Sequence, residues 1–122
     1  MFCSSIGGGG YGQNIDTAGV SGTNAEATVK AWDPAVVLGS SISNNWYVAE
    51  AENFAGLYNQ ANPKETKDAS GNVKQFLHLT QMVWKDTTKV GCAATYCAQK
   101  MPLGGAYSWY TVCNYAGPGE FI

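Results

Sequence analysis

The chain has 122 residues, of which 45% are hydrophobic and only 13% charged, and its formal net charge is −2. A chain of this length buries roughly two-thirds of its unfolded surface, so it can build one hydrophobic core without a metal or a partner. The apolar content excludes a disordered chain, and the charge balance excludes a basic face for nucleic acid or anionic membrane. No apolar run approaches the ~20 residues that span a bilayer.

Four cysteines, an even number, occur in a glycine-rich chain with few charges. This composition is typical of an oxidising compartment and predicts two disulfides. The alternative is a zinc site, since Cys92 and Cys97 are close in sequence to His78, although C-x4-C with one distant cysteine is not a zinc-knuckle spacing. Residues 1–20 contain no signal peptide, so we expect that a leader was removed or that an upstream portion is missing.

The first predicted elements are short. The glycine run at residues 7–12 has neither a preceding strand nor a following Gly-Lys-Ser/Thr, so it predicts a flexible loop rather than a phosphate site. It leads into a short extended piece at residues 11–16. A short helix follows and ends at Asp33-Pro34, because the residue before proline disfavours the helical conformation. The Gly-Ser-Ser sequence at residues 39–41 predicts the next break.

Residues 42–59 are predicted to form an amphipathic helix, since apolar side chains recur at helical spacing. Glu50 is four residues from Trp46 and four from Phe54, so it lies on or beside the apolar stripe. A carboxylate at that place is either a buried group with satisfied hydrogen bonds or a site residue.

The second half of the chain contains a helix and two strands. A polar loop at residues 62–73 precedes an amphipathic helix at 76–84, which carries His78, the only histidine. A lone histidine beside apolar neighbours is more often a satisfied interior group than a ligand. Residues 90–96 and 107–115 are rich in β-branched and aromatic side chains and predict a hairpin-like pair of strands.

The order of these elements predicts the class of the fold. Helical patterns occupy the middle of the chain and strand patterns lie towards its end, with no internal repeat and no second domain. We therefore expect a single domain over residues 1–122 of the α+β class, with helices segregated from a small antiparallel sheet.

Four short motifs point to a known family. They are Gly12-Gln13-Asn14-Ile15, Trp46-Tyr47 followed by Glu50, His78-Leu79-Thr80-Gln81-Met82-Val83-Trp84 followed by Val90-Gly91-Cys92, and Cys113-Asn114-Tyr115. In this order they resemble the signatures of the CAP superfamily, the cysteine-rich secretory, antigen 5 and pathogenesis-related class 1 proteins. The phrases are most similar to those of fungal members.

The resemblance implies a fold and a pattern of disulfides. The family's fold is an α-β-α sandwich with a small three-stranded antiparallel sheet between helices, and here the first helix would be largely missing. The family's cysteine pattern would pair Cys92 with Cys113 and Cys3 with Cys97. Each disulfide would add about 2–4 kcal/mol to stability by restricting the unfolded chain.

The resemblance also implies a central cleft. In the family this cleft carries two histidines and two acids, which in several members bind a divalent metal such as zinc. The motifs place His78 and Glu50 in two of these positions, but the neutral amide of Gln13 replaces the second acid and the other histidine would fall near Ile6 or Gly7. We therefore expect a hydrogen-bonded remnant of the cleft with no metal, no cofactor and no catalytic residues.

The function implied by the resemblance is a secreted protein that binds a hydrophobic ligand, with fatty acid ahead of sterol. The loop after the first long helix would contact such a ligand through Phe54, Leu57 and Tyr58. One alternative is a secreted effector or interaction module without lipid binding, which could self-associate through the face left by the missing helix. The other alternative is a metal-dependent hydrolase, although we expect no enzyme activity.

Overall fold

The structure, a computed structural model, describes residues 11–20, 22–57, 59–61, 63–97 and 107–117. These residues form a three-stranded sheet and several short helices. The elements in chain order are β1 (Gly12–Val20), α1 (Ala25–Lys30), α2 (Pro34–Ser40), a π-helical segment (Ser41–Val48), α3 (Ala49–Phe54), α4 (Leu77–Met82), β2 (Lys89–Cys97) and β3 (Tyr107–Ala116).

The sheet is antiparallel throughout, and its strand order is β1–β3–β2. The pair of strands predicted towards the end of the chain is confirmed as β2 and β3. The extended piece predicted at residues 11–16 is the start of the third strand, which pairs with β3 from Gly12 opposite Tyr115 to Val20 opposite Tyr107. Helices together with an antiparallel sheet confirm the α+β class.

Two hydrophobic clusters join the helices to the sheet. Trp109, Cys113 and Tyr115 are an even number of residues apart on β3 and therefore point to the same face. Trp109 packs with Val29 of α1 and Val37 of α2, and its indole Nε1 donates a 2.7 Å hydrogen bond to the carbonyl O of Val29. Cys113 and Tyr115 pack on the buried tryptophan of the π-helical segment. One face of the central strand thus anchors both ends of the helical layer.

The break predicted at residues 39–41 is wrong, because α2, the π-helical segment and α3 follow each other without interruption. Asp33 starts this helical run by accepting a 2.9 Å hydrogen bond from the N–H of Ala35, and Pro34 occupies the first helical position, where its missing N–H costs nothing. A single Gly costs a helix only about 1 kcal/mol, and buried Val37 and Ser41 on either side of it outweigh that cost. No helix in the described ranges, this run included, is long and apolar enough to cross a membrane.

The three cysteines that the structure describes are disulfide-bonded, as the composition indicated. Cys92 and Cys113 lie opposite each other on β2 and β3 with Cα atoms 4.1 Å apart, and their disulfide confirms the first predicted pair. Cys97 is also disulfide-bonded. The predicted pairing with Cys3 lies outside the described residues. The alternative of a zinc site at Cys92 and Cys97 is wrong, because both cysteines are disulfide-bonded.

Candidate functional site

A carboxylate–imidazole pair connects helix α3 to helix α4. Glu50 of α3 is only 3% exposed, and its Oε2 lies 2.7 Å from Nδ1 of His78 on α4. The other carboxylate oxygen, Oε1, accepts a 3.1 Å hydrogen bond from the N–H of Leu79. Because a carboxylate only accepts, Nδ1 of the imidazole carries the proton and donates it to this contact. Both oxygens of Glu50 are therefore engaged with α4.

The imidazole is held in place from a second direction by Trp46. The two rings are nearly parallel, with centroids 5.7 Å apart and 7° between their planes, and the indole is buried. Trp46 and Glu50 are four residues apart, so one face of the helical run presents both the ring and the carboxylate to His78. The orientation of the imidazole is thus fixed by stacking and by a hydrogen bond.

Strand β1 is joined to the same place by Asn14, which is 3% exposed. Its Nδ2 donates to the carbonyl O of His78 at 3.0 Å and to the hydroxyl of Tyr115 at 3.1 Å. Just before it, Gly12 lies directly against the side chain of Gln81, where a Cβ would collide with the amide. The start of β1 packs closely on α4 because Gly12 has no side chain and Asn14 hydrogen-bonds to the backbone of α4.

An open cleft of about 270 Å³ lies beside the pair. Six of the seven lining residues are polar, and four of them are carboxamides. The cleft is lined by Gln13, Asn14, Glu65, Gln75, Leu77, His78 and Gln81. The predicted cleft residues His78 and Gln13 share this lining, whereas Glu50 lies behind His78. Nε2 of the Gln13 side chain donates a 2.7 Å hydrogen bond to Oδ1 of Asn114, its cross-strand neighbour.

The lining of the cleft includes an acid, Glu65, which the sequence did not predict as a site residue. Its Oε2 accepts hydrogen bonds from the N–H groups of Phe76 at 2.9 Å and Leu77 at 3.4 Å, so it caps the amino end of α4. Eleven residues separate Glu65 from Phe76. No local capping pattern in the sequence covers that distance, because capping motifs join residues within one turn.

The electrostatics of the pair follow from these contacts. The hydrogen bond to Glu50 raises the pKa of His78 above 6.5, burial opposes that rise, and the negative charges of Glu50, Asp16 and Glu65 add to it. The imidazole is therefore protonated to a higher pH than an exposed histidine and forms an ion pair with Glu50. Among the residues that the structure describes, no group of three or more His, Cys, Asp or Glu side chains could hold a metal ion.

The predicted ligand loop begins against the same helical layer. Phe54 packs on buried Phe76 with ring centroids 5.3 Å apart, and Leu57 is half-buried in a turn that starts at Phe54. Asn53 closes this corner through a 2.8 Å hydrogen bond to the carbonyl O of Gln75. Tyr58, the third predicted contact, lies outside the described residues.

A separate groove of about 380 Å³ runs between β1 and α2, away from the Glu50–His78 pair. Its walls are mainly apolar, with polar side chains at the start of α2 and beyond its end. The groove is lined by Ala18, Trp32, Asp33, Val36, Val37, Ser40, Ser41 and Asn45. Asp33-Pro34 predicts the end of one helix, and in the structure it is also the start of the next, which forms one wall of this groove. The same dipeptide is also the signature of a helix start, with an Asp cap and Pro in the first turn.

Comparison with known proteins supports the relationship that the motifs suggested. A model of the cysteine-rich secretory protein family, CAP, matches residues 3–115. The chain is similar to a probable pathogenesis-related protein of Arthroderma benhamiae, with 38% identity over 120 residues, which is 98% of this chain and 32% of that protein.

Two further relatives share shorter stretches. Secreted protein RBT4 of Candida albicans is 34% identical over 89 residues, which cover 69% of this chain and 23% of the relative. The pathogenesis-related protein PR-1 type of Sambucus nigra is 36% identical over 63 residues, which cover 52% of this chain and 32% of the relative. The aligned part of this chain thus spans about a third or less of the length of each of these three proteins.

Proposed function

The chain belongs to the CAP family of cysteine-rich secretory proteins, and from this membership we propose that it acts outside the cell by binding a small hydrophobic ligand. Its relatives include proteins whose names describe them as secreted or pathogenesis-related. The three described cysteines, all disulfide-bonded, fit an oxidising environment.

The observation that carries the proposal is the groove between β1 and α2. Its volume of about 380 Å³ lies in the usual range for small-molecule sites, and such sites are mostly apolar with a few polar groups at fixed places. Trp32 and Val36 supply apolar surface, while Ser41 and Asn45 supply the polar groups. Among hydrophobic ligands, the family resemblance ranks a fatty acid ahead of a sterol. The contacts that the resemblance implies at Phe54, Leu57 and Tyr58 would belong to a separate surface, because neither Phe54 nor Leu57 borders this groove.

Equilibrium binding tests this proposal. Labelled palmitate and labelled cholesterol are each titrated with the folded protein and with a reduced, denatured sample. We expect saturable binding of at least one ligand to the folded protein only. Equal retention of both ligands by the denatured control would contradict the proposal.

For the central cleft we propose a structural remnant without metal or catalysis. Two observations support this. Both oxygens of Glu50 are used within the protein, and the described residues offer no group of three ligands for a metal. Catalytic zinc usually takes three protein ligands, so His78 and one acid would hold it weakly. Calorimetric titration with zinc chloride, followed by a protease and esterase screen, checks this, and micromolar binding of one zinc per chain would contradict it.

A second candidate function is that of an interaction module, favoured by the exposed edge of the sheet. Strand β2 pairs with β3 on one side only within the described chain, and its residues 89–93 are all exposed, with Val90 60% exposed. An unpaired edge of this kind can add a strand from another chain. Sedimentation analysis over a range of protein concentrations separates a monomer from a self-associating protein, and Val90→Lys should abolish any dimer that uses this edge.

A further inference from the structure

Apolar side chains line the groove from both sides, from β1 and from α2 with the residue Trp32 that precedes it. Trp32 packs against the core cluster of Val29, Val37 and Trp109 and also borders the groove, so one part of its indole is anchored and another part faces the opening. Val36 lies on the outer wall and is 67% exposed. Ala18 of β1 forms the floor opposite α2. These side chains offer an alkyl or aryl group a surface that water leaves on binding.

Among the described residues that line the groove, the charge has one sign. None of them is Lys, Arg or His, and Asp33 contributes a carboxylate. A second carboxylate, Asp16, lies directly behind the lining. Its Oδ2 accepts 2.7 Å hydrogen bonds from the hydroxyl of Ser41 and from Nδ2 of Asn45, both of which border the groove. Carboxylates therefore lie near the groove at two places, at the start of α2 and behind Ser41 and Asn45.

From this arrangement we propose that the groove selects an amphiphile with a positively charged head, an alkylamine or arylamine, over a carboxylate such as a fatty acid. The inference rests on the proposed function in one respect, since it requires the groove to hold an apolar group. The inference differs from the proposed function in the charge of the head group. The family resemblance puts a fatty acid first, whereas the charges around the groove favour an amine.

Two physical effects favour a cation in this place. An ammonium group is attracted by the carboxylates, and exposed charges interact effectively within a Debye length of ~8 Å at physiological salt. An ammonium within about 6 Å of the Trp32 ring would also gain a cation–π interaction. A carboxylate head would meet repulsion from Asp33 and no attraction to the ring. The apolar tail contributes equally in both cases, with about a fourfold gain in affinity for each buried methylene.

The experiment compares dodecylammonium with dodecanoate, which have the same alkyl tail, by calorimetric titration below their micelle concentrations. For the native chain we expect the ammonium to bind about tenfold more tightly than the carboxylate at low salt, and less selectively at high salt.

Three variants locate and explain the binding. Asp33→Asn keeps a good helix cap but removes the charge, so it should shift the ratio of the two affinities towards one by about threefold or more. Val36→Gln removes an apolar wall and should weaken both probes alike. Val48→Gln is the matched control, because Val48 is similarly exposed at 62%, belongs to the same helical run and does not border the groove. It should leave both affinities unchanged.

The outcomes separate this inference from the proposed function. Equal affinities for the two probes, or a ratio that Asp33→Asn does not change, overturn the inference about the head group. If Val36→Gln nevertheless loses binding and Val48→Gln does not, the proposal of an apolar ligand in the groove still stands. If neither probe binds but palmitate or cholesterol does, only the inference fails. If none of the four ligands binds, both fail.

Discussion

At the scale of single residues, the cleft is organised by Glu50. One buried carboxylate accepts from the ring of His78 and from the N–H of Leu79, and so connects α3 to α4. A buried charge that loses its partner is strongly destabilising, whereas an exposed charge contributes little. The main contribution of Glu50 is therefore to the docking of α4.

Glu50→Gln tests this role. The amide keeps the shape of the side chain but loses the charge and places an NH2 or a weaker acceptor against the imidazole, so we expect a loss of about 1–3 kcal/mol in the free energy of unfolding. Glu52→Gln is the matched control, since Glu52 is exposed on the same helix and should change stability by less than about 0.5 kcal/mol. Urea denaturation of both variants measures the difference, and equal effects would show that Glu50 has no special role.

The raised pKa of His78 gives a second prediction, on pH dependence. Below the ordinary value of 6.5 the imidazole is protonated in the folded and the unfolded chain, so the full stabilisation from the Glu50 contact is present. As the pH rises through the higher pKa of the folded protein, that stabilisation is lost. Asp16 and Glu65 act in the same direction as Glu50.

The stability of the native chain relative to His78→Gln should therefore be greatest in weakly acidic solution and decline as the pH rises above 6.5. Urea denaturation of both proteins at a series of pH values measures this difference and cancels the titration of groups that do not interact with His78. A difference that grows as the pH rises would mean that the neutral imidazole is the favoured form.

At the scale of elements, the helical run from Pro34 to Phe54 brings the two candidate sites into one framework. Its first part borders the groove through Val36 and Val37, and its last part supplies Trp46 and Glu50 to the cleft. The π-helical segment lies between them, and such segments are rare in proteins and frequent near functional sites. The continuity of this run is the main point on which local sequence signals and the structure differ.

Gly39→Ala tests that continuity. A methyl group at Gly39 would meet no atom within 4 Å, and alanine is favoured over glycine in a helix by roughly 0.5–1 kcal/mol, so we expect a stabilisation of about that size. Gly71→Ala is the opposite control, because its φ of +84° is a conformation that alanine adopts only with strain, and it should destabilise the chain. Thermal unfolding compares the two. A Gly39→Ala variant that loses stability would favour a real break at this position.

At the scale of the whole molecule, the sequence predicts those features that local pattern or motif encodes. Alternating β-branched and aromatic residues locate the strands, and the family motifs predict that His78 and Glu50 lie next to each other. Glu65 and the docking role of Asn14 were not predictable in the same way, because their partners are remote in the chain and belong to no local pattern. The groove was not predictable either, because it forms where Ala18 of β1 lies near α2. The sequence predicts Asp33-Pro34 as the end of a helix and not as the start of α2.

The groove between β1 and α2 is the proposed place where an apolar ligand binds, and amide chemical-shift mapping tests this most directly. The labelled protein is titrated with decanol, an uncharged probe whose binding does not depend on the head-group inference. We predict that saturable shifts are confined to residues around Ala18, Trp32 and Val36 and disappear in Val36→Gln but not in Val48→Gln. Shifts centred on Gln75 and His78 instead, or no saturable shift at all, would contradict the account.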